Sequence, residues 1–386
     1  MRMTIRHAES ERRGMAAQPP RRPGGTTMAA YQLLGWGEGV ERVEVPVQMP
    51  RGREVLVEVH AVGLCHSDLF VMGCEEGVLP YDLPLTLGHE VAGRVLAVGE
   101  DADGTLVGEA GVVHGVWSCG ECHNCLRGLD NYCVALEGRV GCGLGHDGGL
   151  AHYVLLPDGR HFVPAQDVPP TSLAPLADAG LTAYHAIRQH GDALVADSVA
   201  LVIGVGGLGH LAVQILRATT SSRVVAVDAR PEACALAATL GAHHTATSVG
   251  EALAQLAAGT GVTGVDVVLD FVGSDVTMRL GADALTPGGR LVVVGGARGS
   301  IAVGKGMTLP LGWQVSAPFW GSRDDLVAVV ELAEKGLLNP VVEVVPFGAV
   351  PEAYTRLRDG GITGRLVAVR DAALVQVEEL RKEDGS

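Results

Sequence analysis

The fold is decided by residues 198–228, which read SVALVIGVGGLGHLAVQILRATTSSRVVAVD. An apolar run typical of a buried strand leads into a glycine pattern, G-x-G-x-x-G, and then into an alanine- and leucine-rich helix pattern. A second apolar run follows and ends at Asp228. Strand, glycine turn, helix and strand in this order form a β-α-β unit. They predict a parallel sheet that is covered by helices on both faces.

The same alternation continues downstream. PEACALAATLG follows the strand SRVVAVD, DVTMRLGADAL follows VDVVLDFVG, and GRLVVVGG closes the series. Each strand candidate is a continuous apolar run, as expected where both faces of a sheet are buried. We therefore predict an α/β Rossmann domain with a doubly wound parallel sheet over residues 178–319.

The glycine loop predicts a dinucleotide site. Gly204 allows the tight turn, Gly206 allows the backbone to approach a pyrophosphate, and Gly209 allows close packing of helix on strand. Gly207 and Leu208 complete the loop, and the helix N-terminus then faces the anion. The alternative interpretation is a glycine turn in an α/β domain that binds nothing.

Asp228 predicts which dinucleotide binds. Its carboxylate can accept both hydroxyls of the adenine ribose, and its charge would repel a 2′-phosphate, so NAD is favoured over NADP. Arg230, two residues further on, works against this choice because a cation there can pair with such a phosphate.

Four of the eight cysteines stand within CGECHNCLRGLDNYC at residues 119–133. Thiolates at this spacing can reach one ion from a tight turn, and four of them close its coordination shell. We predict a structural zinc without a reactive position, held by Cys119, Cys122, Cys125 and Cys133. The alternative is four unrelated buried cysteines.

The first half of the chain has a different character. Short β patterns such as EVLVEVHAVG and EVAGRVLAVG are separated by glycine, proline and loops. They predict a compact, mostly antiparallel domain over residues 28–177, completed by residues 320–370. Residues 1–27 are rich in arginine, proline and glycine and are expected to be a disordered extension, or the product of a start upstream of Met28. Residues 371–386 are expected to be a frayed tail.

Composition narrows the partners. The formal net charge is −15, which argues against a nucleic-acid surface or an anionic membrane as partner. No apolar run reaches the length of a membrane span, and no signal segment opens the chain. We expect a cytoplasmic protein with reduced thiols that are free to bind metal.

Several separated motifs occur in one order: GLCHSD at 63–68, Gly88-His89-Glu90 with Gly93 and Gly99, the four cysteines and the glycine fingerprint. In this respect the chain resembles the zinc-dependent alcohol dehydrogenases of the medium-chain dehydrogenase family over roughly residues 28–370. The resemblance implies a GroES-like, mostly β catalytic domain in front of the Rossmann domain.

The resemblance also implies a catalytic zinc. Cys65 and His89 match its first two ligands. Many members carry a cysteine as third ligand, whereas the matching position in PLADAGLTAY is Asp178. A carboxylate is an acceptable anionic zinc ligand, so we predict that Asp178 binds the ion. The alternative is a helix cap beside a site that has lost its metal.

Further roles follow from the same resemblance. Ser67 matches the hydroxyl that accepts the alcohol proton, Asp68 matches a carboxylate that orients the zinc-bound imidazole, and Glu90 lies where it can approach the metal. For Asp68 and Glu90 the alternative is plain surface charge. His66 and Arg365 match residues that contact the cofactor phosphates.

Aromatic residues make up only 4% of the chain, and four lie near these motifs. They are candidates either for the walls of an apolar substrate pocket or for the core: Phe70, Tyr81, Phe319 and Trp320. Some relatives have a histidine close behind the relay hydroxyl, where this chain has Phe70, so the proton must leave by a shorter path or through water and the ribose.

The leading hypothesis is an NAD-dependent alcohol dehydrogenase with two zinc ions per chain, one catalytic and one structural. It would transfer hydride reversibly between NAD and small or medium apolar alcohols, preferably secondary or aryl, giving ketones or aldehydes. A homo-oligomer, dimer or tetramer, is expected. The alternatives are a polyol dehydrogenase of the same family and a dinucleotide-binding zinc protein without turnover.

Overall fold

The structure is a computed structural model and describes residues 27–304 and 309–370. The sequence-based expectations for residues 1–27 and 371–386 lie outside the described residues, apart from Thr27, which begins the first strand. None of the helices in the described part is both long and apolar enough to cross a membrane.

The strands of the described chain are β1 (Thr27–Leu33), β2 (Val40–Pro46), β3 (Val55–Leu64), β4 (Leu85–Thr86), β5 (Glu90–Val98), β6 (Ala110–Val113), β7 (Gly141–Cys142), β8 (Gly145–His146), β9 (Tyr153–Leu156), β10 (Phe162–Pro164), β11 (Val199–Ile203), β12 (Arg223–Val227), β13 (His244–Ala246), β14 (Val265–Asp270), β15 (Leu285–Val293), β16 (Gln314–Ser316), β17 (Val342–Pro346) and β18 (Arg365–Val369).

The α-helices are α1 (His66–Met72), α2 (Pro170–Leu173), α3 (Ala179–Arg188), α4 (Gly209–Thr219), α5 (Pro231–Thr239), α6 (Val249–Thr260), α7 (Asp275–Asp283), α8 (Arg323–Glu334) and α9 (Val350–Asp359). Short 3-10 helices at Cys125–Arg127, Asp130–Tyr132 and Ala174–Ala177 lie in segments that concern the site.

The first domain is built on a seven-stranded sheet in which β10, β6, β5, β3, β18 and β17 follow one another and β9 also pairs with β3. Pairing is antiparallel except between β17 and β18. A three-stranded sheet of β2, β1 and β4 packs nearby. This is the mostly antiparallel domain that the first half of the sequence predicts. One of its interior strands, β18, follows the whole second domain in the sequence.

The register of three strands brings chemistry to one place. Leu366 of β18 lies opposite Leu64 of β3, and Glu90 of β5 lies opposite Gly63. Cys65 directly follows β3, and Arg365 begins β18. The cysteine, the glutamate and the arginine therefore meet at one end of the sheet, although up to 300 positions of sequence separate them.

The second domain contains a six-stranded parallel sheet with the order β13-β12-β11-β14-β15-β16. The glycine loop follows β11, which lies between β12 and β14, so it opens where the strand order reverses, the usual ligand position of such sheets. A Cβ at Gly209 would overlap the carbonyl oxygen of Gly204, whereas one at Gly206 would have no neighbour within 4 Å. The third glycine thus serves packing and the second leaves open space.

The predicted fold class is confirmed, and each strand and helix named from the Rossmann part of the sequence is present. Three further elements, β13, α6 and β16, were not predicted from the sequence. The two strands have only three residues each, too few for a clear apolar pattern. The exact domain boundaries at 178 and 319 stay a prediction.

Candidate active site and metal centres

The four cysteines of residues 119–133 form one cluster. Their sulfur atoms lie 3.4–3.9 Å apart in the pairs that approach each other. In a tetrahedral zinc site with Zn–S bonds of about 2.3 Å, the sulfurs are about 3.8 Å apart, whereas a disulfide would bring two of them to about 2.05 Å. The spacing fits the closed zinc shell expected from the sequence.

Backbone amides support this cluster. The N–H of Cys122 donates to Cys119 Sγ at 3.3 Å, and the N–H groups of Cys119 and Ala135 donate to Cys133 Sγ at 3.3 and 3.4 Å. Such bonds favour thiolates, the form that binds zinc. We call residues 119–133 the cysteine lobe.

A second cluster lies between the domains. Side-chain ligand atoms of Cys65, His89, Glu90 and Asp178 all lie within 4.8 Å of one another. Asp178 Oδ2 is 3.6 Å from Cys65 Sγ and 3.6 Å from His89 Nε2. His89 Nε2 is buried and has no hydrogen-bond partner. A buried ring nitrogen of this kind beside a thiol and a carboxylate fits a zinc ion.

Backbone geometry places the two upstream ligands. Cys65 is the N-cap of α1, and Ser67 N–H donates to its sulfur at 3.4 Å. His89 follows Gly88, whose φ is +91°. A Cβ at Gly88 would lie 2.8–2.9 Å from Leu150 and Val62, so the turn that presents His89 requires a glycine.

Asp68 orients the imidazole. Its Oδ1 lies 3.2 Å from His89 Nδ1, so Nδ1–H donates and Nε2 is left with its lone pair for a metal. The other oxygen accepts from Cys65 N–H at 3.0 Å and from the Tyr354 hydroxyl at 2.9 Å. Asp68 is fully buried, which rules out plain surface charge. Tyr354 carries no motif, and the sequence analysis missed it.

Asp178, the third ligand candidate, is the N-cap residue of α3, but its side chain makes no capping hydrogen bond. Its Oδ1 accepts from Thr182 Oγ1 at 3.0 Å, one helical turn further on. Burial alone would raise the pKa of Asp178, but His89 and Arg365 hold it below its usual value. The carboxylate is therefore an anion, as a ligand must be. Thr182 was not predicted, although residues four positions apart on a helix are neighbours and the sequence therefore contained the signal.

Glu90 is fully buried and pairs with Arg365, whose Nε donates to Glu90 Oε2 at 3.0 Å. Burial raises the pKa of Glu90 to about 7, although Arg365 opposes the shift. Arg365 Nη2 also lies 3.6 Å from Asp178 Oδ2. A Cβ at Gly207 would lie 2.6 Å from Arg365 Nη1, so the guanidinium contacts the glycine loop too. The sequence suggested the phosphate side of Arg365 and missed its pairing with Glu90.

One cleft of about 790 Å³ joins these parts. Its walls contain the three ligand candidates Cys65, His89 and Asp178, which we call the zinc-ligand cluster. The other polar or loop residues in its walls are Ser67, the glycine loop, His66, Asp228, Arg230 and Arg365. Phe70 and Phe319 also line it and are 43% and 42% exposed. Trp320 also lines the cleft but is only 6% exposed.

The structure corrects the prediction that Tyr81 lines the substrate pocket. Tyr81 does not line the cleft but a second cavity with Trp36 and Glu38. Proximity to a motif in sequence did not indicate which face of the loop the ring would occupy. Phe70 also has a partner that the sequence did not suggest: the guanidinium of Arg298 lies 5.2 Å from its ring centroid, a cation–π contact between the two domains.

Asp228 is engaged by its own loop and by Arg230. Its Oδ2 accepts from Val205 N–H at 2.8 Å, and Arg230 Nε and Nη2 donate to its two oxygens at 3.1 and 3.2 Å. Arg230 therefore stands directly beside the carboxylate that is expected to meet the adenine ribose.

Two family models match the chain in succession. The alcohol dehydrogenase GroES-like domain matches residues 51–167, and the zinc-binding dehydrogenase family matches residues 207–335. An NAD-dependent alcohol dehydrogenase from Sulfolobus acidocaldarius is 33% identical over 350 residues, 88% of this chain and 99% of the relative. A D-arabinose 1-dehydrogenase (NADP(+)) from Saccharolobus solfataricus is 31% identical over 341 residues, 88% of this chain and 96% of the relative.

Solved structures agree. The acetophenone reductase of Geotrichum candidum, in complex with NAD, superimposes with a TM-score of 0.78 at 31% identity and covers 89% of this chain and 98% of its own. Fold and site together define a two-domain, zinc-binding dehydrogenase. The chain belongs to the zinc-dependent alcohol dehydrogenases of the medium-chain dehydrogenase/reductase family. The resemblance stated from the motifs is thereby confirmed.

Replacing Asp178 by alanine should remove about one zinc per chain and lower turnover at least about 100-fold, since even groups that only support a metal ligand are worth 10–100-fold. Asp178→Cys, which restores an anionic ligand, should keep the ion. Zinc content by atomic absorption and initial rates measure both effects. Full metal content and normal turnover in Asp178→Ala would exclude the assignment.

Replacing Cys122 by serine should remove the other zinc and lower the melting temperature by at least about 5 °C, because losing a metal ligand costs several kcal/mol and each shifts Tm by about 2–4 °C in a domain of this size. Cys74→Ser is the matched control, since Cys74 is buried outside both clusters. Calorimetry with zinc analysis tests this. A Cys122→Ser protein with unchanged Tm and two zinc ions would contradict a structural metal.

Proposed function

We propose that the chain catalyses the reversible, NAD-dependent oxidation of small or medium apolar alcohols, preferably secondary or aryl, to ketones or aldehydes. The observation that carries the proposal is the single cleft. It joins the glycine loop to the cluster of Cys65, His89 and Asp178, with Phe70 and Phe319 beside it. A dinucleotide and a metal-held alcohol would thus meet in one space.

Zinc bound there would supply a Lewis acid for the alcohol oxygen, and NAD would accept the hydride. The protein's own side chains orient the metal ligand and accept the proton of the alcohol. Ser67 Oγ lies 3.5 Å from Cys65 Sγ and lines the cleft, where its hydroxyl can accept the alcohol proton. Asp68 fixes the ring of His89, and Phe70 cannot take the proton further. We infer that water or the cofactor ribose does so.

His66, Asp228 and Arg365 are proposed to hold NAD, with Gly204, Gly206, Gly207, Leu208 and Gly209 around the pyrophosphate. Glu90 is proposed to keep Arg365 in place and to approach the metal during ligand exchange. Two zinc ions per chain, a homo-oligomeric state and a cytoplasmic location belong to the same proposal.

A sugar-alcohol dehydrogenase is the second candidate. Arg298 at the mouth of the cleft offers a polar group, and one relative is named as an arabinose dehydrogenase. Phe70 and Phe319 favour the apolar substrate, because each hydroxyl of a polyol buried against them would lack a partner. The complete ligand set at the second cluster argues against a protein that only binds the dinucleotide.

In an NADH-production screen, a secondary or aryl alcohol should exceed a polyol of similar size in kcat/KM by at least about tenfold, the cost of one unpaired buried hydroxyl. Primary, secondary, aryl and polyhydroxy alcohols are assayed in parallel with NAD. A preference for the polyol would select the second candidate. No turnover with any of them, in protein holding two zinc ions, would select the binding protein.

Asp228→Ser should raise the ratio of kcat/KM for NADP to that for NAD by about tenfold or more, because the repelling carboxylate is lost and Arg230 becomes free to pair with the 2′-phosphate. The double variant Asp228→Ser, Arg230→Ala is the control and should lose most of the gain. An unchanged ratio in the single variant, or a wild-type preference for NADP, would show that Asp228 does not discriminate.

A further inference from the structure

Trp320 has an unusual backbone and an unusual position. Its φ is +50°, in the left-handed region that a residue with a Cβ rarely adopts, so the surroundings must hold it there. The indole Nε1–H donates to the carbonyl of Ala177 at 2.9 Å, and Ala177 precedes Asp178. The indole also packs edge-on against His89, with ring centroids 5.5 Å apart. One buried side chain thus contacts both sides of the zinc-ligand cluster.

Space around the indole is closed on the far side. A Cβ at Gly115 would lie 2.5 Å from Trp320 Cζ2, and a Cβ at Gly321 would lie 2.5 Å from Leu181 of α3. The indole therefore packs directly on the Gly115 backbone, and the residue that follows it packs directly on α3.

Two hydrogen bonds hold this turn from outside. Asn131 Nδ2 donates to the carbonyl of Phe319 at 2.8 Å, and His114 Nε2 bonds the carbonyl of Gly321 at 3.0 Å. Asn131 is 1% exposed and His114 is fully buried. The carbonyls before and after Trp320 are therefore both fixed by buried donors, which are costly to leave unpaired.

Asn131 belongs to the cysteine lobe. It lies in the 3-10 helix Asp130–Tyr132, which ends at the ligand candidate Cys133. Asp130 of the same turn accepts from Arg323 N–H at 3.1 Å. The four-cysteine cluster that orders the lobe therefore also determines the position of the Asn131 amide.

The lobe has a second, purely structural attachment. The side chains of Asn131 and Tyr132 approach His185 Nε2 at 3.2 and 3.0 Å, and His185 Nδ1 pairs with Asp325 at 2.7 Å. This network ties α3 to α8 and accounts for stability. Asn131 Nδ2 takes part in both attachments, whereas the Tyr132 hydroxyl bonds only within this network, to His185 and Gln189. Tyr132→Phe therefore weakens the structural attachment and leaves the bond to Phe319 in place.

We propose that the cysteine lobe positions the catalytic centre: Asn131 holds the Phe319–Trp320 turn, and Trp320 holds the ligands His89 and Asp178 in place. Asn131 and Trp320 are then positioning residues for the metal and the pocket wall. The proposal rests on the proposed function only for its kinetic readout, because metal retention can be measured without turnover.

The test compares Asn131→Asp with Asn124→Asp and Tyr132→Phe in the full chain, the last of which removes contacts to His185 and Gln189 alone. Aspartate at 131 keeps the size but loses the donor to Phe319. Asn124 is the matched control, because its amide donates within the lobe, to the Tyr132 carbonyl at 2.6 Å, and does not reach the Phe319–Trp320 turn. The measurements are Tm, zinc lost to EDTA over time, and kcat and KM for alcohols of increasing size.

We expect Asn131→Asp to release the catalytic zinc about tenfold faster, as for other groups that support a metal ligand, and to raise KM for the larger alcohols. Asn124→Asp and Tyr132→Phe should lower Tm without either effect. Trp320→Phe keeps a ring beside His89 but loses the indole N–H, and should release zinc faster than wild type and more slowly than Trp320→Leu. It serves the test even where the lobe variant fails to fold.

Equal zinc release and equal KM values in Asn131→Asp, Asn124→Asp and wild type, or wild-type release in both Trp320 variants, would overturn the proposal. Lack of alcohol turnover in the wild-type protein would instead overturn the proposed function. The zinc-release comparison would still decide the positioning role.

Discussion

The constraint on which the rest depends is the burial of charge between two domains. Cys65, Asp68, Glu90, His89 and Arg365 are all nearly inaccessible to solvent. A charge removed from water is tolerated only where a partner of opposite sign or a hydrogen bond replaces the solvent. The burial of Asp68 is balanced by three donors and that of Glu90 by one guanidinium. His89 Nε2 is the exception in this group: it is buried without a hydrogen-bond partner and is therefore available to a metal ion.

The sequence predicted those parts of the site that lie close together along the chain and not the contacts between distant residues. The cysteine lobe and the glycine loop are local patterns whose spacing alone implies a ligand. Cys65, His89 and Asp178 came only from resemblance to a family, because no local rule joins them. Asp68, Glu90 and Arg365 came from the same resemblance, but the contacts they make could not be predicted. Tyr354 lies 286 positions from Asp68, and Arg365 lies 275 positions from Glu90.

Aromatic residues show a different limit. Phe70, Phe319 and Tyr81 looked equivalent as members of a small set near motifs. The first two line the cleft, and the third lines another cavity. Residue type indicates a preference for burial but not the surface against which burial occurs. For Trp320 the sequence left open a pocket wall or the core, and both hold in part: the indole lines the cleft, is buried and donates to the Ala177 carbonyl from a left-handed turn.

The late position of β18 has a consequence for synthesis. This strand lies between β3 and β17 in the finished sheet, yet the ribosome makes it after all the other described strands of both domains. Until then the nascent chain carries Glu90 without its arginine and β3 without one neighbour. The first domain can collapse before β18 is made, but the buried carboxylate of Glu90 then has no arginine to pair with. The centre therefore cannot assemble before β18 has been made, and its assembly requires the closure of a long loop.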